Sequence, residues 1–253
     1  MKTSNKLLLT FCLLIWSCIL LGMLVAKNNM EIYSVNDEVE TNYEESKVLL
    51  ESYDSNILNL YGEDFRNFTL DPNETGVTIR GDKRNVEEVS LMDDKGLYFY
   101  RQGNEKIYAK LFVTIGTKGK ESLELNIKKF SKVNNVGQLS GNIAVRIKDG
   151  SELELHYEGD NLTVAGSDHA LISLQGAAKN LTISNEDNCA LYGQEFYGDT
   201  IKVDLIDDAL VKLKGSNFVT GEAEDDSALL FSQLTNLQVS IRGRARVESN
   251  IEE

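Results

Sequence analysis

The side chains that could carry chemistry stand at regular intervals. Asparagine or aspartate recurs at Asn142, Asn161, Asn180, Asp199, Asn217 and Asn236, in steps of 19, 19, 19, 18 and 19 residues. A second, acidic series runs through Asp149, Asp168, Asp187, Asp207 and Asp226, in steps of 19, 19, 20 and 19. Such a column of carboxylates could hold calcium or work on a polysaccharide by acid–base catalysis. Calcium-binding repeats supply several acids and glycines per turn, whereas most repeats here supply one or two acids. The spacing therefore predicts solvated turns, no metal site and no stabilisation by calcium. Catalysis on a glycan needs two or three carboxylates converging in a cleft, or a base beside Arg or Lys on a metal. Here acids lie along every corner, no cluster stands out, and no long loop offers cleft walls.

Other reactive types are sparse. There are two histidines, His156 and His169, too few for a three-histidine metal site and out of register with each other. Of three cysteines, Cys12 and Cys18 lie in the apolar N-terminal run, so Cys189 has no partner for a disulfide within the body. Arg80-Gly81-Asp82 matches an integrin-recognition tripeptide, which a strand ending in a Gly-Asp turn explains equally well. Asn67, Asn73, Asn161 and Asn180 each begin an Asn-X-Thr glycosylation pattern, and the last two already belong to the asparagine series. No cofactor and no catalytic residue is implied.

The elements that carry these marks follow from the residues between them. Apolar residues alternate at Ile143, Val145 and Ile147, at Leu162 and Val164, at Leu181 and Ile183, and at Ile201, Val203 and Leu205. They alternate again at Leu153 and Leu155, Ile172 and Leu174, and Val211 and Leu213. Period two means strands with one buried face, and a fixed period near 19 means a solenoid. The fold class is all-β, a right-handed parallel β-helix with coils of about 19 residues. A ladder of small residues, Ser151, Ala170, Cys189, Ala209 and Ala228, points inward beside the turn, which makes Cys189 a buried, unreactive thiol. An extra residue at Thr200 suggests a bulge. Asparagines at the other corner can bond one another from coil to coil. Residues 137–248 form the regular coils, and 51–136 are degenerate coils or a β cap. Arg242, Arg244 and Arg246 put charge on the last coil as a guard against end-to-end stacking.

One face breaks the polar-outside rule. Leu171, Ala190, Leu210 and Leu229 fall in one outward row, with Tyr192 and Phe231 in the next. The outward positions of the other strand are Thr163, Thr182, Lys202 and Gln238. An apolar stripe over several coils is expected to be covered, by the chain's own N-terminal β region, a second copy or a ligand protein. Leu171, Tyr192, Leu210, Leu229 and Phe231 are therefore the candidate interaction face.

Leu7 to Ala26 is 20 residues without a charge, about 30 Å as a helix, the thickness of a bilayer core. Lys2 and Lys6 precede it and acids follow, which puts the N-terminus inside and the body outside. The run is longer than a cleaved h-region, and Leu24 is bulky where cleavage wants a small residue. The organisation expected is a cytoplasmic tail (1–6), a transmembrane signal anchor (7–26), an acidic spacer (27–50) and the β-helix domain (51–253). The location expected is the bacterial inner membrane with the body in the periplasm, the alternative being secretion or cell-surface display after cleavage. Beyond residue 26 the remaining 24 bases face all 40 acids, a net of −16, so the body repels nucleic acid and anionic headgroups.

An N-terminal anchor, an acidic spacer, the strand and turn Gly76-Val-Thr-Ile-Arg-Gly-Asp82, and repeats such as Asn161-Leu-Thr-Val164 and Asn180-Leu-Thr-Ile183 resemble the auto-transporter adhesin, head GIN domain family of Bacteroidetes-type bacteria. Where that family repeats Ser-Gly-Ser-Gly turns, this chain has Gly166-Ser-Asp, Asn185-Glu-Asp and Ile206-Asp-Asp. The resemblance implies a membrane-anchored, β-helix-like envelope protein with no catalytic residues to carry over. The function expected is a non-catalytic adhesion, interaction or scaffold module whose partner is an envelope protein or glycan, with homo-oligomers allowed. The alternative is a glycan-active β-helix enzyme using turn carboxylates.

Overall fold

The computed structural model describes residues 45–62, 67–81, 86–87, 89–93, 96–101 and 111–249. The cytoplasmic tail, the signal anchor and all but the end of the acidic spacer lie outside the described residues. Within the described residues no helix is long and apolar enough to cross a membrane.

The strands in chain order begin with β1 (Glu45–Leu50), β2 (Ile57–Tyr61), β3 (Asn67–Asp71), β4 (Val77–Gly81), β5 (Val89–Asp93) and β6 (Leu97–Arg101). Next come β7 (Phe112–Gly116), β8 (Ser122–Lys128), β9 (Lys132–Asn135) and β10 (Asn142–Ile147). Five long strands follow, β11 (Glu152–Gly166), β12 (Leu171–Asn185), β13 (Ala190–Leu205), β14 (Leu210–Ala223) and β15 (Ala228–Ile241), and then β16 (Arg246–Ser249). They build an all-β parallel solenoid of about seven turns with coils of about 19 residues.

Each regular coil is one long strand bent at its middle and closed by a tight turn. The first half of β11 stacks on β9 and its second half on β10, so a single strand serves both sheets. Leu162 lies beside Leu181, and Ile172 lies between Leu153 and Leu191, as the alternation predicts. The stretches around Tyr157 and Tyr197 are the bends of two of these long strands. At the first bend the Tyr157 ring is buried and its hydroxyl donates to the Gly141 carbonyl at 2.6 Å. Gly159 is required there, because a Cβ on it would lie 2.5 Å from the tyrosine oxygen.

The tight turn explains the aspartate series. Two successive residues take left-handed backbone in each: Asp149 and Gly150, Asp168 and His169, Asp187 and Asn188, Asp207 and Asp208. Asp, Asn and Gly tolerate positive φ best, so the series is first a demand of the backbone. His169 is there for the same reason, and its N–H donates to the Asp187 carbonyl on the next coil at 3.1 Å. The turn of β8–β9 is built the same way with Lys129 and Phe130, both left-handed. The regular coils therefore begin at residue 122 rather than 137; the acid that would have marked this coil is absent.

Two placements are corrected. In the fifth aspartate turn the left-handed residue is Asp225, not Asp226, so that coil advances by 18 residues. The small inward residue is then Ser227, fully buried, and Ala228 moves to the outward row beside Leu210. A one-residue slip turns every following side chain to the other face. Leu229 and Phe231 accordingly pair with Val211 and Leu213 and are 0% exposed. Thr200 is no bulge: it pairs in register with Asn180, and the extra residues sit earlier, between Gly193 and Tyr197.

The asparagine corner also follows register. Asn161 donates to Asn142 at 2.7 Å and Asn180 donates to Asn161 at 2.9 Å. Thr200, Phe218 and Asn236 continue that row, while Asn217, one residue before it, donates to Asp199 at 3.3 Å and its carbonyl accepts from Asn236.

The region before residue 122 is both coil and cap. β2 and β3 stack in parallel on β8 and β9, and β6 and β7 stack in parallel on β2 and β3. The coil that comes later in sequence thus lies farther out. Its edges are closed by antiparallel strands: β4 on β7 with β1 beyond it, and β5 on β6.

Candidate interaction face

The face that breaks the polar rule is the outer surface of the sheet formed by β9 and the first halves of β11 to β15. Its first outward row reads Lys132, Glu152, Leu171, Ala190, Leu210, Ala228 and Arg246. The adjacent row reads Asn134, Glu154, Ser173, Tyr192, Lys212, Leu230 and Glu248. Charge therefore bounds an apolar middle. Coils are about 4.8 Å apart, so the run from Leu171 to Ala228 covers about 14 Å.

Leu171 is 42% exposed, while Ala190, Tyr192 and Leu210 are half-buried. The stripe sinks at its far end, where Ala228 and Leu230 are buried. The Lys212 ammonium lies 5.6 Å from the centre of the Tyr192 ring, close enough for a cation–π contact. Of the residues expected on this face, Leu171, Tyr192 and Leu210 are outward. Leu229 and Phe231 belong to the core, for the register reason given above, and Ala228 and Leu230 take their places.

Three solved structures share this architecture. A putative adhesin from Bacteroides fragilis NCTC 9343 superposes with a TM-score of 0.68 at 11% identity, over 83% of this chain and 98% of that one. A putative adhesin from Parabacteroides merdae ATCC 43184 gives 0.56 at 15% identity, over 84% and 98%. A third, from Parabacteroides distasonis ATCC 8503, gives 0.51 at 15% identity, over 81% and 96%. This chain has their fold. No family model matches it, and no curated protein does.

On this solenoid the remaining candidates fall apart in space. His156 is exposed on β11, in a shallow furrow of about 230 Å³ that Asn135, Glu154, Ser173 and Gln175 also line. Its N–H donates to the Asn135 side chain at 2.8 Å, and its carbonyl accepts from the same amide at 3.0 Å. His169 is in the tight turn, away from that furrow. Beside it Lys132 holds Glu152 at 3.3 Å and Glu154 at 3.2 Å. The hydrogen bonds that its ammonium donates to Glu154 and Glu152 hold its pKa above the usual lysine range. All three groups are about half exposed, so this is a surface ion-pair network rather than a desolvated acid–base pair.

The turn aspartates stand one coil apart along one exposed edge. Desolvation by the neighbouring coils, with the carboxylates of Asp225, Asp187 and Asp208, pushes the Asp207 carboxyl up. Among the described residues no three His, Cys, Asp or Glu side chains come together to hold a metal ion. Cys189 is 0% exposed, and burial pushes its thiol up to about 12, which suits a packing role. Arg80 is exposed at the end of β4, and Asp82 lies outside the described residues.

The residues that sequence reasoning missed are Ala228 and Leu230. A signal for them existed: the asparagine series already shortens to 18 between Asp199 and Asn217, in the coil where the aspartate series was read as 19.

Proposed function

We propose that this chain is a non-catalytic interaction module of the bacterial envelope, held to the inner membrane by residues 7–26. Its recognition surface is the outward stripe Leu171, Ala190, Tyr192 and Leu210. One observation carries this reading: a leucine 42% exposed at the head of an apolar row, on a body with a net charge of −16. Water does not favour such a row on an acidic solenoid, and a partner that covers it gains roughly 25 cal/mol per Å² of apolar surface. Tyr192 adds a flat ring with an adjacent cation, which suits either the edge of a protein or the apolar face of a sugar. The fold shared with the adhesin structures supports the same class of role.

The test compares the wild-type full chain with a Leu171→Ser/Leu210→Ser variant in cross-linking and pull-down from envelope extracts, and on a panel of neutral glycans. The expected result is loss of the captured species with an unchanged melting temperature. Retention of every captured species by the variant would sink the reading, as would a variant that loses stability rather than binding.

A further inference from the structure

The two ends of the solenoid differ. At the first, β4, β1 and β5 close the edges of the outermost coil in antiparallel fashion. At the other, the last coil consists of residues 236–241 of β15 and the strand β16. Residues 236–241 pair with β14 on one side, and β16 pairs with the first half of β15. Among the described residues nothing pairs with their outer edges.

The inward residues of that coil continue the core columns. Leu237, Val239 and Ile241 follow Val219, Gly221 and Ala223, and Val247 follows Leu229. With no coil above them, Leu237 is 43% and Ile241 is 51% exposed, and Val239, Ala245 and Val247 are half-buried. An apolar core cross-section framed by two open strand edges is a template for further strands.

We propose that this end binds the same end of a second copy about a two-fold axis, with both edges pairing antiparallel. Three features select that occupant. At the opposite end β1 and β5 are edge strands too, but the core there is covered, with Ile79, Leu97 and Ile115 all 0% exposed, so only this end offers open core side chains to a second copy. The chain also shows, at its capped end, that a parallel coil of this solenoid accepts antiparallel strands.

The third feature is self-complementarity. Counted outward from the last turn, Val239 and Val247 stand level on the two strands, each two residues beyond Ile241 and Ala245. A two-fold axis through both puts Leu237 opposite Ile241 of the second copy and each valine opposite itself. It also puts Arg246 opposite Glu248 and Glu248 opposite Arg246. Every outward charge on β16 thus meets its opposite, in the cross-strand arrangement that favours pairing. The other arginines of this coil do not obstruct it. Arg242 is drawn back to Glu224 at 2.7 Å and Arg244 to Asp226, both on the preceding coil. The basic trio read from sequence as a guard against stacking therefore leaves the end itself electrically balanced.

The experiment uses the full chain in mild detergent with Cys12 and Cys18 changed to Ser. Val247→Cys, on the axis, is expected to form an inter-chain disulfide on mild oxidation, while Thr163→Cys, exposed on the flank, does not. By mass measurement, Arg246→Glu is expected to weaken the dimer by about tenfold, through like charges set opposite each other, and Arg246→Glu/Glu248→Arg to restore it. Val239→Lys abolishes it with melting unchanged. A monomeric mass at about 100 μM protein, equal cross-linking at residues 163 and 247, or a dimer indifferent to Val239→Lys and to the charge reversal would each overturn the proposal.

Discussion

Gly166 should be the most telling position in the core. It stands inward on β11 between Ile147 and Asn185. A Cβ built on it would lie 2.3 Å from the Cys189 sulfur, 3.0 Å from the Asn185 side-chain oxygen and 3.1 Å from the Ile172 δ-methyl. Non-bonded heavy atoms settle near 3.5–4.0 Å, so the sulfur is more than 1 Å too close. Cys189 is 0% exposed and sits in the small-residue ladder with Ala170 on one side and Ala209 on the other, so it has no free direction in which to move. Overpacking of this kind costs about 1–3 kcal/mol, partly offset by the about 0.5–1 kcal/mol that alanine gains over glycine within a strand. Gly166→Ala should therefore destabilise by about 1–2 kcal/mol. Cys189→Ala alone should cost about 1 kcal/mol for the lost sulfur contacts. In Gly166→Ala/Cys189→Ala the new methyl occupies the space of the missing sulfur. The double variant should then be more stable than the sum of the singles by about 1–2 kcal/mol. Denaturant melts of the four proteins, full chain in detergent, give the coupling directly. Additivity within about 0.5 kcal/mol would refute the packing argument, because distant, independent sites behave that way.

Three further outcomes are expected. Leu229→Ser should cost about 3–5 kcal/mol, as a fully buried leucine replaced by a hydroxyl, whereas Leu171→Ser should change stability by less than about 1 kcal/mol; similar effects at both would mean the register of β15 is wrong. Asp207→Asn should raise the melting temperature above the carboxylate range. The folded state binds the Asp207 proton more tightly than the unfolded chain, so wild-type stability should rise as pH falls toward that raised pKa. The variant should lack that share of the rise, and parallel pH profiles would count against repulsion within the column. Asn161→Ala removes an amide that donates to Asn142 and accepts from Asn180, and should cost about 0.5–1.5 kcal/mol, more than Asn142→Ala at the end of the same run; equal costs would argue against a cooperative ladder.

The solenoid was legible because its repeats are tied to backbone needs. Asp168, Asp187 and Asp207 recur because each turn requires left-handed residues, and Leu162 and Leu181 because each coil buries the same column. The failures lie where one chemistry has two placements. Asp225 and Asp226 are both acids, and choosing the second preserved a 19-residue step while turning Leu229 and Phe231 outward. The residues themselves argued otherwise. With Ser227 inward, Leu229 and Phe231 continue the columns of Val211 and Leu213, large beneath large, whereas the other choice points Leu230 and Ser232 at the core. The coil at 122–135, read from sequence only as a degenerate coil or part of a cap, carries no turn acid because Lys129 and Phe130 fill its left-handed pair, where neither type is favoured. The order of coils at the capped end could not be read at all. The β6–β7 coil stacks outside the β2–β3 coil by non-local pairing, and no periodicity records which of two short strands lies farther out.

The same division between columns explains how 11–15% identity accompanies a shared fold. A coil touches only its two neighbours, so the fold asks for alternation, a small residue beside each tight turn and residues that accept positive φ within it. Ser131, Ser151, Ala170, Cys189, Ala209 and Ser227 satisfy the second demand with three chemistries, and Asp, Asn, Gly, His, Lys and Phe satisfy the third. None of these demands reaches the outward rows. Leu171 could be exchanged for a polar residue without a change in register, and Glu152 on the neighbouring coil shows one in the same row. The outward rows are thus free to be chosen by whatever they touch, and the fold alone carries no information about it. Any specificity of this solenoid has to be sought in rows such as Leu171, Ala190 and Leu210, whose apolar character the fold does not require.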